Sequence, residues 1–353
     1  MWAYIGSRTT RERQARGEGI TVCRVQQNGS LQPIQIVGGL VNPSYLVRNQ
    51  AGDRLYTVHG DGDACSVLAV DPSSGELRLL QTLACGLRNP VHLALDLQES
   101  RLIVASHLSG EVVVLPLDGD GMLQPAVQRV ALPGDPGPHR KEQPFSKPHF
   151  NLLDPSGRFV VVPDKGLDRI FVFRVESGAT GCQLVPASVP VVQAREGAGP
   201  RNVVFHPSGN WMAAINELDS TVAAYRFDAA TGALTPLQWL PTLPDHFMGN
   251  SRAAGIAISA HGHHLYVSNR GFDSIEVFAL APDTGRLQHV QSRHSEGRTP
   301  RFFALHPAGH CLYVHNEDSD TVVVMTLDPA SGLLGQTISS LAVGSPVCMV
   351  FRD

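Results

Sequence analysis

Apolar residues along this chain come in short runs of four to seven, such as Leu265-Tyr266-Val267-Ser268 and Ser274-Ile275-Glu276-Val277-Phe278, separated by turn residues. The runs repeat as one phrase. It begins at a proline, passes through an apolar-rich strand and turns at Pro-x-Gly. A second apolar strand follows, then a turn ending in Asn or His, a third alternating strand, and an Asp-x-x-x-Gly-x-Leu turn. The clearest copies run from Pro200 to Leu234, Ala254 to Leu287 and Pro300 to Leu333. The copy from Pro148 to Val175 is plain as far as its third strand, and weaker copies run from Pro43 to Leu77 and Pro90 to Leu123.

The turn glycines set the period. They are Gly52, then Ser100 in place of Gly, Gly157, Gly209, Gly262 and Gly309, at spacings of 48, 57, 52, 53 and 47. Short strands with turn chemistry at both ends mark an all-β fold. A four-stranded unit every roughly 40–50 residues reads as a propeller blade.

Six copies leave both ends of the chain over. Pro346-Val347-Cys348-Met349-Val350-Phe351 matches a first strand and then stops. The N-terminus supplies a second strand from Trp2 to Gly6, a third from Gly19 to Val25, and a turn at Asn28-Gly29-Ser30-Leu31. The expectation is an all-β, seven-bladed β-propeller of four-stranded antiparallel blades, residues 1–353 forming a single domain. One blade is shared by the two termini, which removes the sheet edges an open array would expose.

Composition narrows the function classes. A net charge of −4 gives no global attraction to nucleic acid or anionic membrane. No stretch approaches the roughly 18 apolar residues of a membrane span, and the start lacks the basic and apolar regions of a leader. The six cysteines, at 23, 65, 85, 182, 311 and 348, form no CxxC pair and read as core thiols. A cytoplasmic monomer or small homo-oligomer is expected, with no metal and no cofactor.

Propeller geometry places the residue entering the first strand, and the turn between the second and third strands, on the rim around the central channel. Counting eight back from each turn glycine gives Ser44, His149, Arg201, Ala254 and Arg301, with the second copy ambiguous between Val91 and His92. Counting seven and eight forward gives His59-Gly60, Asp164-Lys165, Asn216-Glu217, Asn269-Arg270 and Asn316-Glu317, with His107 near the equivalent place. The asparagines read as turn formers. Their neighbours Lys165, Glu217, Arg270 and Glu317 vary in charge and converge on one mouth, which suggests a site for an anionic ligand; a solvated rim would also carry charges.

Other features point less far. His261, His263 and His264 surround the turn at Gly262 on the opposite rim and read as cover for an exposed turn. The polar insertion Asp135-Pro136-Gly137-Pro138-His139-Arg140-Lys141-Glu142 falls in the longest spacing and reads as a plain loop in preference to a flap over the channel. Neither a Gly-x-Ser-x-Gly elbow nor a P-loop is present.

Several segments in this order resemble the seven-bladed propeller lactonases, the family that includes one bacterial type of 6-phosphogluconolactonase and the fungal 3-carboxy-cis,cis-muconate lactonizing enzyme. They are Tyr4-Ile5-Gly6-Ser7, Lys147-Pro148-His149, Asp154-Pro155-Ser156-Gly157-Arg158, and Pro163 through Ile170. Gly199-Pro200-Arg201, Asn216-Glu217-Leu218, Ser268-Asn269-Arg270-Gly271 and Thr299-Pro300-Arg301 complete the set. The resemblance implies an active site of His149, Arg201, Glu217 and Arg270, all of which also fall on the rim positions. Lys147, Asn202, Arg301 and His92 are expected to bind substrate. Lys147, Asn202 and Lys165 stand where the family often has His, His and Leu, which bears on substrate identity more than on reaction class.

Lactone hydrolysis needs an activated water, charge stabilisation at the carbonyl oxygen and a proton for the leaving alkoxide. Either Glu217 or His149 can be the base, and Arg201 and Arg270 suit an anion. The expected activity is hydrolysis of a small anionic sugar-acid lactone, 6-phosphogluconolactone first. The alternatives are a carboxymuconate cycloisomerase and a non-catalytic binding propeller.

Overall fold

The computed structural model describes residues 1–178 and 181–352, with the side chains of 177, 178, 181 and 182 left aside. The Cys182 thiol therefore lies outside the described residues; Cys23, Cys65, Cys85, Cys311 and Cys348 are buried free thiols.

Seven four-stranded antiparallel sheets make the molecule. One joins the two termini, in the order Pro346–Arg352, Trp2–Ser7, Ile20–Val25 and Leu31–Val37. The others begin, from the channel outward, at Pro43–Arg48, Pro90–Leu95, Leu152–Leu153, Pro200–Phe205, Arg252–Ile258 and Pro300–Leu305. In the shared blade Trp2 lies opposite Arg352 and Gly6 opposite Cys348. The fourth blade departs from the expected start: its first strand is only two residues, and Pro148 reaches the ladder through a single bridge to Asp164.

Alternation along each strand sends apolar side chains to both sheet faces, so every blade buries its faces against two neighbours. Seven apolar clusters result, one per interface. Ala3, Ile5 and Cys23 of the shared blade pack with Tyr313, Val322 and Val324 of the last, while Tyr4, Val22 and Cys348 pack with Leu55 and Leu68 of the next. The termini thus close the ring with the same kind of core as any other junction.

Two polar devices repeat from blade to blade. Gln35 clasps both backbone groups of Leu77, and Gln81, Gln128, Gln238 and Gln291 do the same to Leu123, Leu184, Leu287 and Leu334 one blade on. The hydroxyls of Tyr4, Tyr56, Tyr266 and Tyr313 donate to the turn carbonyls of Gly75, Gly121, Gly332 and Gly29. No helix among the described residues is long and apolar enough to cross a membrane.

Candidate active site

A one-residue β-bulge at the first strand of five of the seven blades helps set the site. Pro200 pairs with Asn216, but Asn202 pairs with Ile215, so Arg201 is squeezed out of the ladder. The same shift ejects Ser44, Val91, Arg301 and Val347. A bulge re-aims its side chain, here into the channel. In every blade the residue that ends or follows the second strand lies on the same rim. Around the ring these residues are Arg8, Gly60, His107, Lys165, Glu217, Arg270 and Glu317.

The second copy is corrected by this register. Its left-handed turn residue is Glu99, at φ 52°, and not Ser100. Glu99 donates its N–H to the Asp96 carbonyl as Gly157 does to Asp154, so the count lands on Val91. His92 lies one layer deeper, its ring 4.1 Å from Tyr45 and 3.6 Å from Phe150. Tyr45 also meets Phe302 edge-on at 6.3 Å. These rings floor a pocket lined by Arg8, Ser44, Val91, His149, Arg201, Asn202, Arg301 and Val347. Tyr45, His92 and Phe150 also border the cavity that opens on the opposite rim, so the aromatic layer divides the channel in two.

Glu217 is the centre of the charged layer. Its Oε2 accepts from Arg201 Nε at 2.9 Å and lies 3.2 Å from an Arg270 nitrogen. Its Oε1 accepts from Lys165 Nζ at 3.1 Å, with Arg252 at 3.7 Å. Burial alone would raise this carboxyl, but Arg270, Lys165 and Arg201 hold it well below the usual carboxylate range. Arg201 also donates to the Ala254 carbonyl at 2.6 Å and to Asn202 Oδ1 at 3.2 Å. Gly199 lets this layer close up: it sits at φ 64°, and a Cβ there would come within 2.6 Å of Leu218.

His149 faces this cluster as a neutral imidazole. Burial first, then Arg201 and His107, holds its imidazole well below the ordinary histidine value. Its Nδ1 is enclosed without a hydrogen-bond partner. The His107 ring stands edge-on at 5.2 Å, and burial and Lys165 bring that imidazole down to about 3.

Lys147 is buried beside these groups, its ammonium 5.2 Å from the centre of the Phe145 ring. Its backbone N–H donates to Asp164 Oδ1 at 2.8 Å, and the same oxygen accepts from the N–H groups of Gly166 and Leu167. This clasp fixes the turn that presents Lys165.

Three groups were not foreseen. Arg8 sits at the shared blade's rim position, 3.1 Å from Glu317 and 3.3 Å from Asp61, with Arg301 3.5 Å from Glu317. The glycine count missed it because the shared blade's first turn is a chain break. Glu142 and Arg252 are the others. Glu142 reaches Lys165 at 3.1 Å and Arg252 at 2.9 Å, and the neighbouring Gln143 donates to the Lys165 carbonyl and to Asp168. The insertion is therefore no plain loop; it is seated on the rim and contributes a charge to the site. The histidines at 261, 263 and 264 stay apart, and no group of three metal-ligating side chains converges among the described residues.

Comparison with known proteins adds the lineage. The family described as "Lactonase, 7-bladed beta-propeller" matches residues 2–351. The 6-phosphogluconolactonase of Bacillus subtilis is 30% identical over 352 residues, covering 99% of this chain and 97% of that protein. This chain is a member of the seven-bladed β-propeller lactonase family. A 6-phosphogluconolactonase of Formosa agariphila is 28% identical over 322 residues, 86% of each chain. Among solved structures, the periplasmic gluconolactonase of Pseudomonas aeruginosa superposes with a TM-score of 0.91 at 30% identity, covering 100% of this chain and 99% of that one. In this lactonase the three departures from the resembled pattern lie close together: Lys165 on Glu217, Asn202 on Arg201, and Lys147 joined through its backbone to Asp164 and Lys165.

Proposed function

We propose that this lactonase hydrolyses a lactone carrying a second anionic group, 6-phosphogluconolactone first, with His149 as the proton-transfer group and no metal. The observation that carries the reading is a neutral imidazole lining a pocket with excess positive charge. Arg8, Arg201 and Arg301 line that pocket beside His149, and no carboxylate is among its described lining residues. The whole chain carries −4, so this surplus is local. Clefts lined by one sign of charge gather substrate of the other.

In this mechanism water attacks the lactone carbonyl carbon as His149 takes its proton. Arg201 and Arg270 stabilise the oxyanion. The ring C–O bond then breaks, and the imidazolium returns the proton to the departing alkoxide. Glu217, with both oxygens held by cations, orients the arginines instead of moving protons. Lys147, Asn202 and Arg301 bind the rest of the substrate, and His92 shapes the floor. A phosphorylated sugar does not cross membranes unaided, so the reading places the reaction in the cytoplasm.

The test is hydrolysis of fresh 6-phosphogluconolactone, the unphosphorylated gluconolactone and carboxymuconolactone, with a chelator present and correction for spontaneous opening. The expected outcome is a kcat/KM for the phosphorylated lactone at least about tenfold above the neutral one, one bidentate ionic contact's worth. Equal rates on both, or turnover of carboxymuconolactone alone, would overturn the reading.

A further inference from the structure

Of the carboxylates at the rim, Glu142 alone comes from the insertion in the longest spacing. Its two oxygens lie 3.1 Å from Lys165 Nζ and 2.9 Å from Arg252. Those same cations face Glu217 Oε1, at 3.1 and 3.7 Å, while Arg201 and Arg270 hold Oε2. Glu217 thus splits the cations into two pairs, one carboxylate width apart. Arg201 of the first pair lines the pocket with His149. The second is capped by an anion that bridges a lysine and an arginine, as a phosphate does.

The cap is attached in a way that lets it leave. Gln143, buried, fastens the loop through the Lys165 carbonyl at 2.9 Å and Asp168 at 2.8 Å. The Glu142 side chain is partly exposed and makes no contact that the backbone of the loop depends on. Burial works against ionisation, yet Lys165 and Arg252 bring its carboxyl down to about 2, so it is an anion at any working pH.

We infer that the place held by Glu142, between Lys165 and Arg252, is the seat of the substrate's phosphate, and that Glu142 is an internal stand-in which the phosphate displaces. This rests on the anionic-lactone reading above. One cationic pair then takes the phosphate while the other takes the carbonyl oxyanion, and the two reacting ends are fixed by a single central carboxylate. A tethered competitor lowers apparent affinity by the fraction of time the seat is free. Glu142 further sets specificity, because a lactone without phosphate has nothing with which to move it.

Calorimetric titration with inorganic phosphate and with 6-phosphogluconate tests this on the intact protein. If Glu142 fills the seat nine-tenths of the time, Glu142→Gln should bind both probes about tenfold more tightly, and Arg252→Met should bind them at least about tenfold more weakly. Weaker or unchanged phosphate binding by Glu142→Gln would overturn the proposal. So would loss of phosphate binding in Arg8→Met or Arg301→Met with binding intact in Arg252→Met, which moves the seat to the Glu317 side. Binding as expected with no lactone hydrolysed would uphold the seat and sink only the lactonase substrate reading.

Discussion

Both oxygens of Glu217 are already paired with cations, which disfavours its taking up a catalytic proton. Four cations lie within 3.7 Å of its carboxylate, whereas His149 is neutral and has an unpartnered nitrogen. The two residues should therefore fail differently. His149→Gln should lower kcat by about 10²–10⁴ with little change in KM, the range for a lost proton-transfer group. Glu217→Gln should instead destabilise the fold by about 3–5 kcal/mol, because it leaves buried cations unpaired; a denaturant titration reads this directly. A Glu217→Gln enzyme with wild-type stability and a purely lowered kcat would return the base to Glu217. Arg270→Lys keeps charge but loses the planar fork, and kcat should fall about tenfold with KM little changed, the loss of about 1.4 kcal/mol from an interaction made with the oxyanion. Unchanged steady-state kinetics would remove Arg270 from the site. The sequence alone could not separate Glu217 from His149, since which carboxylate is pinned by cations depends on Lys165 and Arg252, 52 and 35 residues away by number.

At the scale of the element, the rim positions were legible because bulge and turn recur at fixed offsets from a left-handed turn residue. The count worked where that residue is glycine, as at Gly157, Gly209, Gly262 and Gly309. It slipped at Glu99, where a non-glycine residue takes φ 52° and the sequence prints no marker. It could not find Arg8, whose blade has no such turn. The insertion ending at Glu142 was visible as a length anomaly, but its docking depends on the side chain of Gln143, which has no period to betray it. Gly199 is the element-level position most exposed to test. An alanine there must adopt φ 64° and place Cβ 2.6 Å from Leu218 and 3.1 Å from Lys165. Gly199→Ala should cost about 1–3 kcal/mol and shift the Lys165 side chain. A melting temperature and KM equal to wild type would mean the turn relaxes without disturbing the site.

For the whole molecule, the buried histidines set the acid response. His59, His92, His107, His149 and His315 all fall below the ordinary value of 6.5 on folding, His107 and His315 to about 3, with burial the leading cause. The unfolded chain therefore takes up protons first as pH drops. The stability tied to these groups is present above 6.5 and lost as pH falls toward the folded values. Scanning calorimetry should show Tm steady above pH 7 and falling steadily from 6.5 to 4. A Tm flat across that interval would mean these imidazoles are not held neutral. Ring closure responds to a different challenge. Deleting residues 346–353 removes the strand that pairs with Trp2–Ser7, empties the places of Val347, Cys348 and Met349, and bares the edge of a sheet. Burial of the Val and Met side chains alone is worth about 1.5–3 kcal/mol each, a large share of a domain's net stability, so the truncated protein should aggregate. A circular permutant is the decisive control. Trp2 lies opposite Arg352 in an antiparallel pair, so a direct join through residues 353 and 1 makes a two-residue hairpin. New ends opened between Pro329 and Ala330, both exposed in a turn, leave every blade its four strands. This permutant should keep its Tm within a few degrees and bind 6-phosphogluconate like the parent. If the truncation is harmless, or if the permutant collapses as the truncation does, the termini are not what closes the ring.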